Sequence, residues 1–244
     1  MIYVIPYNSS IEPEISQNID VIGRLRAFPA SRCDFKMYSK DKYPYRFKVA
    51  DHVKKIILDS GAFAMSQIKR KIDKEYMTAL EQYYFYNSDE RCICVAPDVF
   101  LNPMQSMYNF SIWNSFSSQK VAAVLQSDRK GYINLGSLMK QAEYYRKYTD
   151  NIFFSNPGLT SEMAKTLKIQ KLFKFMKNEL KVSWIHVLGA GWNINDIKGW
   201  KRIGYFDSMD SIAYYSTTNE GEFGSLDPLE NINTIMEVMK SGII

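Results

Sequence analysis

The feature that most constrains this chain is an alternation. Apolar runs of strand length recur, separated by longer stretches whose apolar residues fall at helical spacing. The runs are IYVIPY (2–7), KKIILDSG (54–61), CICVAPD (92–98), KVAAVLQS (120–127), NIFFSNPG (151–158), KVSWIHVLGAG (181–191) and IGYFDSMDS (203–211). Between them lie KEYMTALEQYYFYN (74–87), INLGSLMKQAEYYRKY (133–148) and TSEMAKTLKIQKLFKFMKNEL (160–180), the last opening on a Ser/Thr cap and a Glu. LDPLENINTIMEVMKSG (226–242) follows, with Gly242 as its stop. Continuous apolar strands alternating with helices predict βαβ units and a parallel sheet covered on both faces. Seven strands are visible, and CDFKMYS, in the irregular segment 21–39, is a candidate eighth. The count predicts an α/β fold, a compact (β/α)8 TIM-like barrel or a trimmed version of it, as one domain over residues 1–244. An open doubly wound sheet is the alternative, weakened by the lack of a GxGxxG or Walker-type loop.

A 244-residue chain with 46% hydrophobic content is ample for one sizeable core. No run approaches the length of a membrane span, and MIYVIPYNSS lacks the basic start and apolar core of a secretion signal. The expectation is a soluble, cytoplasmic protein without a membrane partner, and three cysteines are too few for a disulfide framework. A net charge of +5 permits a polyanionic partner without demanding one. SKDKYPYRFKVADH (39–52) reads as an exposed basic loop, and His52 within it is uninformative.

In a parallel barrel the active site lies where the strands end. Those ends carry Asp59-Ser60-Gly61, Pro97-Asp98, Gln126-Ser127, Asn156-Pro157-Gly158, Gly189-Ala190-Gly191 and, after a strand over 203–206, Asp207-Ser208-Met209-Asp210-Ser211. Taken singly, an Asp after a strand is ordinarily a cap or turn residue. Together they describe a pocket with several carboxylates, an amide and exposed backbone. Carboxylate and amide groups can read the hydrogen-bonding edge of a guanine-like base. One acid can attack a sugar carbon while another handles protons.

This ordered series resembles the tRNA-guanine transglycosylases and their DNA-directed, DpdA-type relatives that insert 7-deazaguanines into DNA. The matching motifs are Asp59-Ser60-Gly61-Ala62-Phe63, Asp98 in VAPD, Gln126 in VLQS, Gly158 in SNPGL, HVLGAG (186–191) and FDSMDS (206–211), in the family's order. The resemblance implies a barrel in which Asp210 is the nucleophile and Asp59 the general acid/base. It makes Asp98 and Gln126 the base readers, with Ser60 and the backbone of Gly158 or Gly189 helping. Phe63 would stack on the base or pack in the core. Asp207 would orient Asp210, bind the sugar or cap a helix. His186 would be a hydrogen-bonded core histidine, or would lie near the nucleophile and contact sugar or phosphate.

The family's tRNA enzymes carry a zinc subdomain built on a Cys-x-Cys-x-x-Cys motif after the nucleophile. Here Cys33, Cys92 and Cys94 all precede Asp210. The expectation is therefore no metal and no cofactor, with Cys92 and Cys94 as core thiols on one strand face. DNA is favoured over tRNA as the polymer, with a 7-deazaguanine base as the small-molecule substrate. The short chain suits a reduced enzyme of the kind a virus encodes. Phosphates would meet cations around the mouth, for which Lys54, Lys55, Arg70 (within Lys69-Arg70-Lys71), Lys198, Lys201 and Arg202 are candidates. Trp192 and Trp200 sit beside the last of these, one against nucleic acid or both in the core. Rival readings are a non-catalytic module that binds nucleic acid or a partner, and a barrel hydrolase acting on nucleosides or glycosides.

Overall fold

The computed structural model describes residues 1–6, 23–29, 35, 53–116, 120–159, 163–191, 193–211 and 227–241. Its strands are β1 (Ile2–Pro6), β2 (Gly23–Ala27), β3 (Lys55–Asp59), β4 (Cys92–Val95), β5 (Val121–Leu125), β6 (Asn151–Ser155), β7 (Trp184–Leu188) and β8 (Ser208–Asp210). All neighbours are parallel, and β8 pairs with β1, so the sheet closes into an eight-stranded barrel. The described helices are α1 (Ala62–Gln67), α2 (Lys74–Asn87), α3 (Pro103–Phe116), α4 (Leu135–Arg146), α5 (Met163–Asn178), α6 (Ile194–Ile203) and α7 (Pro228–Lys240). This is the expected (β/α)8 architecture, and the open-sheet alternative falls.

Local chemistry explains the helix starts. The side chains of Asp73, Asn134, Asn193 and Asp227 accept hydrogen bonds from backbone N–H groups at the starts of α2, α4, α6 and α7. Strands β4 and β5 are buried at every residue, as parallel strands covered on both faces must be. Side-chain alternation then makes two cores. Val4, Leu25, Ile57, Val95, Val124 and Phe153 are among those filling the barrel interior. A larger outer set, including Cys92 and Cys94, packs beneath the helices.

Two strand expectations change. The remaining strand is Gly23–Ala27, ahead of CDFKMYS, of which only Phe35 is described and it lies outside any strand. Its sequence, Gly-Arg-Leu-Arg-Ala, hides the strand because two arginines alternate with the inward residues. Arg24 is nevertheless buried and donates to the Ile5 carbonyl at 3.0 Å. The last strand is Ser208–Asp210, not 203–206. Ile194, Ile197, Trp200 and Ile203 recur every third residue and are all buried, so Ile203 closes α6, and Gly204 turns the chain at φ 64°. Trp200 is a core residue, packed near Phe154, Phe173 and Phe206. Cys33, His52, Trp192, Gly242 and the cap at 160–162 lie outside the described residues.

Candidate active site

The inward face carries the chemistry. Two residues beyond Ile57, Val124 and Trp184, the same face of β3, β5 and β7 presents Asp59, Gln126 and His186. On β8, Ser208 is registered opposite His186, and Asp210 follows two residues later. Asp59, Gln126 and Asp210 therefore converge at the C-terminal mouth, with His186 one step below.

Asp59 ends β3, and its Oδ2 accepts the Gly61 N–H at 3.1 Å. Gly61 sits at φ 73°, a conformation that suits glycine, so the Asp-Ser-Gly turn both starts α1 and holds the carboxylate. Tyr76 of α2 anchors this turn by donating its hydroxyl to the Ser60 carbonyl at 2.7 Å. Ser60 is fully buried and donates from Oγ to Asp98 Oδ1 at 3.1 Å. Asp98 Oδ2 accepts Gln126 Nε2 at 2.6 Å. Gln126 Oε1 accepts the Leu101 N–H at 3.2 Å. Leu101 sits at φ 58°, an unusual conformation for a bulky residue. Gln141 of α4 clasps the Gln126 backbone, accepting its N–H at 3.1 Å and donating to its carbonyl at 3.0 Å.

Electrostatics follow from this crowding. Burial pushes the Asp59 carboxyl up to about 7, and the carboxylate of Asp98, then that of Asp210, adds to the rise. Burial also raises Asp98 to about 6, opposed by its hydrogen bonds from Ser60, its own backbone and Gln126. Asp59 thus titrates near neutrality, in the range where a carboxyl can both give and take up a proton at about pH 7.

Asp210 is held from one side. Its Oδ1 accepts the Gly189 N–H at 3.1 Å and lies 2.9 Å from His186 Nε2. Gly189 stands at φ 62°, with open space where a side chain would begin. His186 Nδ1 lies 2.8 Å from Ser208 Oγ, which also accepts the Trp184 indole N–H at 2.7 Å. His186 is therefore near the nucleophile candidate, but wholly buried and engaged at both nitrogens. Phe63 projects from the lip, 56% exposed, edge-on to Phe100 with ring centroids 5.3 Å apart. Gly158 lies on the rim, its N–H donated to Asn156 Oδ1, while Asn156 Nδ2 donates to the Gly189 carbonyl.

Several expected site residues are elsewhere. Asp207 precedes β8 and so lies at the opposite end of the strand from Asp210. Its Oδ2 accepts Lys177 Nζ and the Ile185 N–H, both at 2.6 Å. It neither orients Asp210 nor faces the mouth. Lys54 and Lys55 stand at the start of β3, at the foot of the barrel, and Lys55 Nζ lies 4.2 Å from the Trp184 ring centroid. Helix α6 runs away from the mouth, so its last turn is also at the foot. There Lys201 donates to the Val238 and Ser241 carbonyls at the end of α7. Arg202 shares that turn, and Lys198 lies exposed on the outer helix face. Only Arg70, in the loop after α1, is on the mouth side, stacked 3.6 Å from the Phe35 ring centroid.

Sequence reasoning missed a different basic group. Arg129, Lys130 and Tyr132 occupy the loop after β5, on the mouth side, and all are exposed. The Arg129 guanidinium and Lys168 Nζ each lie 5.7 Å from the Tyr132 ring centroid, and Lys130 passes close over Gly158. Ser208, Trp184 and Gln141 were missed as well, although Ser208 shares Asp210's strand face.

Among the described residues no group of three or more His, Cys, Asp or Glu side chains is arranged to hold a metal ion. No helix among them is long and apolar enough to cross a membrane. Neither a scan against known protein families nor a search of curated proteins finds a match.

Proposed function

We propose that this chain is a base-exchange transglycosylase that replaces guanine in a polynucleotide, DNA in preference to tRNA, with a 7-deazaguanine base. The observation that carries the reading is the Asp98–Gln126 pair beside Asp59 and Asp210. The Leu101 N–H can only donate, so Gln126 Oε1 must face it and Nε2 must face Asp98. The second Nε2 proton is then available to a base carbonyl. Asp98 Oδ1 accepts the Ser60 hydroxyl and Oδ2 the Gln126 amide, and beside these and its own backbone N–H the carboxylate keeps acceptor capacity for a base N–H. That donor–acceptor order complements the edge of guanine and of a 7-deazaguanine alike.

The chemistry is a double displacement at C1′ of the target nucleotide. An Asp210 oxygen forms a bond to C1′ as the C1′–N9 bond breaks, and the departing base takes its electron pair and a proton from Asp59. The incoming base then gives its N9 proton to the Asp59 carboxylate. Its N9 bonds to C1′, and the C1′–O bond to Asp210 breaks, regenerating both carboxyl groups. A value of about 7 suits Asp59 to both halves. The target base must leave its stack to reach the pocket. Phe63 and Phe100 offer it an aromatic lip. Arg129, Lys130 and Lys168 take over from the foot-end lysines as the phosphate contacts. The choice of DNA over tRNA is part of the proposal, and the polymer arms of the test decide it.

The test is incorporation of labelled guanine into duplex DNA, single-stranded DNA and tRNA, with Asp210→Ala and Asp59→Ala beside the wild type. Label entering DNA alone, and lost in both variants, is the expected result. Label in tRNA alone would overturn the polymer assignment. Base release without exchange would mean a hydrolase, and polymer binding without either would mean a binding module.

A further inference from the structure

Resting on the reading just given, we propose that His186 is a positioning residue that holds Asp210 Oδ1 and leaves Oδ2 as the attacking oxygen. The argument starts at Trp184. Its indole N–H can only donate, so the bond of 2.7 Å makes Ser208 Oγ an acceptor. The serine's own proton then has His186 Nδ1, 2.8 Å away, as its acceptor. An unprotonated Nδ1 puts the imidazole proton on Nε2, which faces Asp210 Oδ1 at 2.9 Å. In this arrangement every donor meets an acceptor. A doubly protonated ring would leave the serine proton without one. The chain Trp184–Ser208–His186 therefore fixes the neutral Nε2–H tautomer.

The consequence falls on the two Asp210 oxygens. Oδ1 receives two donors, His186 Nε2–H and the Gly189 N–H. Oδ2 takes neither bond. When Oδ2 has bonded to C1′, Oδ1 becomes the ester carbonyl and keeps both donors. They stabilise the carboxylate that leaves as the incoming base's N9 bonds to C1′. His186 thus contacts neither sugar nor phosphate, since the strand pairing and both hydrogen bonds hold it below the reacting atoms.

The chain has two histidines, so nitrogen-15 imidazole spectra of the wild type and of His52→Gln isolate His186. The expected spectrum is a neutral ring protonated at Nε2, with Ser208→Ala weakening the preference. A ring protonated at Nδ1 would overturn the proposal whether or not the protein exchanges bases. The kinetic arm compares His186→Phe with His186→Gln, whose amide N–H can stand near the Nε2 position. His186→Phe should lower single-turnover exchange about 100-fold, with affinity for free guanine, read by Asp98 and Gln126, within twofold of wild type. His186→Gln should recover most of the rate. Equal rates for wild type and His186→Phe, or equal losses of rate and guanine affinity in both variants, would reduce His186 to a structural residue. The expected tautomer in a protein that exchanges no base would overturn the role of Oδ2 and the transglycosylase reading together.

Discussion

Gln126 donates from Nε2 to Asp98 Oδ2 at 2.6 Å, and the two side chains form one hydrogen-bonded unit at the ends of adjacent strands. Asp98→Asn keeps the shape but replaces one acceptor oxygen with an amide donor that faces other donors. Hydrogen bonds to a charged group contribute about 1.5–3 kcal/mol each. The expected outcome is a loss of guanine affinity of about 10- to 100-fold by calorimetry, with folding retained. Unchanged affinity would remove Asp98 from base recognition.

Asp59 makes stability depend on pH in an uncommon direction for a carboxylate. Its value in the folded protein is about 7, against about 4 in an unfolded chain. Between those values the native state binds more protons than the unfolded state, so stability falls as pH rises through that window and stays low above it. Asp98, raised to about 6, acts with the same sign. Asp59→Asn should therefore be more stable than wild type at pH 8, by up to about 4 kcal/mol, and no more stable at pH 4. Urea unfolding at the two pH values measures this. An equal effect at both would mean that the carboxyl is not raised.

How much of this was legible beforehand can be traced residue by residue. Strands such as VAAVL and NIFFS announce themselves because a parallel strand buried on both faces is apolar throughout. Asp59, Asp98, Gln126 and Asp210 were legible as strand-end residues, and parity along the strand gives three of them a shared face. Arg24 and Arg26 concealed β2, since buried arginines on the outer face of a strand look like loop residues. Helix α3, MQSMYNFSIWNS within it, carries no charge, so it shows no polar stripe against which to read a helical face. Asp207 and Asp210 are three residues apart and look equivalent in FDSMDS. Only the position of the strand's start separates foot from mouth. The lysines failed for the same reason, because charge is visible in a sequence but the end of the barrel it occupies is not.

The foot-end ion pair gives the control for Asp210. Asp207 Oδ2 takes both the Lys177 ammonium and the Ile185 N–H. Asp207→Ala leaves that backbone donor without its carboxylate partner. It should lower stability by about 1–2 kcal/mol in urea unfolding. Guanine affinity and exchange at 20 °C should be unchanged. A loss of exchange in a folded Asp207→Ala protein would return this residue to the site.

The rim cations separate polymer binding from base binding. Arg129→Glu and Lys130→Glu should each weaken affinity for a single-stranded oligonucleotide and reduce the slope of log affinity against log salt by about 1. Lys198→Glu, on the outer face of α6, should change neither. Fluorescence anisotropy over a salt series reads both quantities. Equal slopes in all proteins would mean that the polymer crosses another part of the mouth.

Phe63 tests the lip. Its ring is 56% exposed and meets Phe100 edge-on, 88° between planes, so one face is free for a planar ligand. Stacking a base on an aromatic side chain contributes about 1–3 kcal/mol. Phe63→Ala should therefore cost about 10- to 100-fold in affinity for a free 7-deazaguanine base. An exposed ring contributes little to the core, so the unfolding midpoint should move little. Phe63→Tyr, which keeps the aromatic face, should bind as wild type. Phe85→Ala provides the comparison, because Phe85 is 71% exposed on α2 and, like Phe63, meets a neighbouring aromatic ring edge-on, but away from the Asp59–Asp98 cluster. Calorimetric titration of all four proteins decides the point. If Phe63→Ala and Phe85→Ala bind the base alike, the lip aromatic serves only its packing on Phe100, and base recognition rests on the Asp98–Gln126 edge alone.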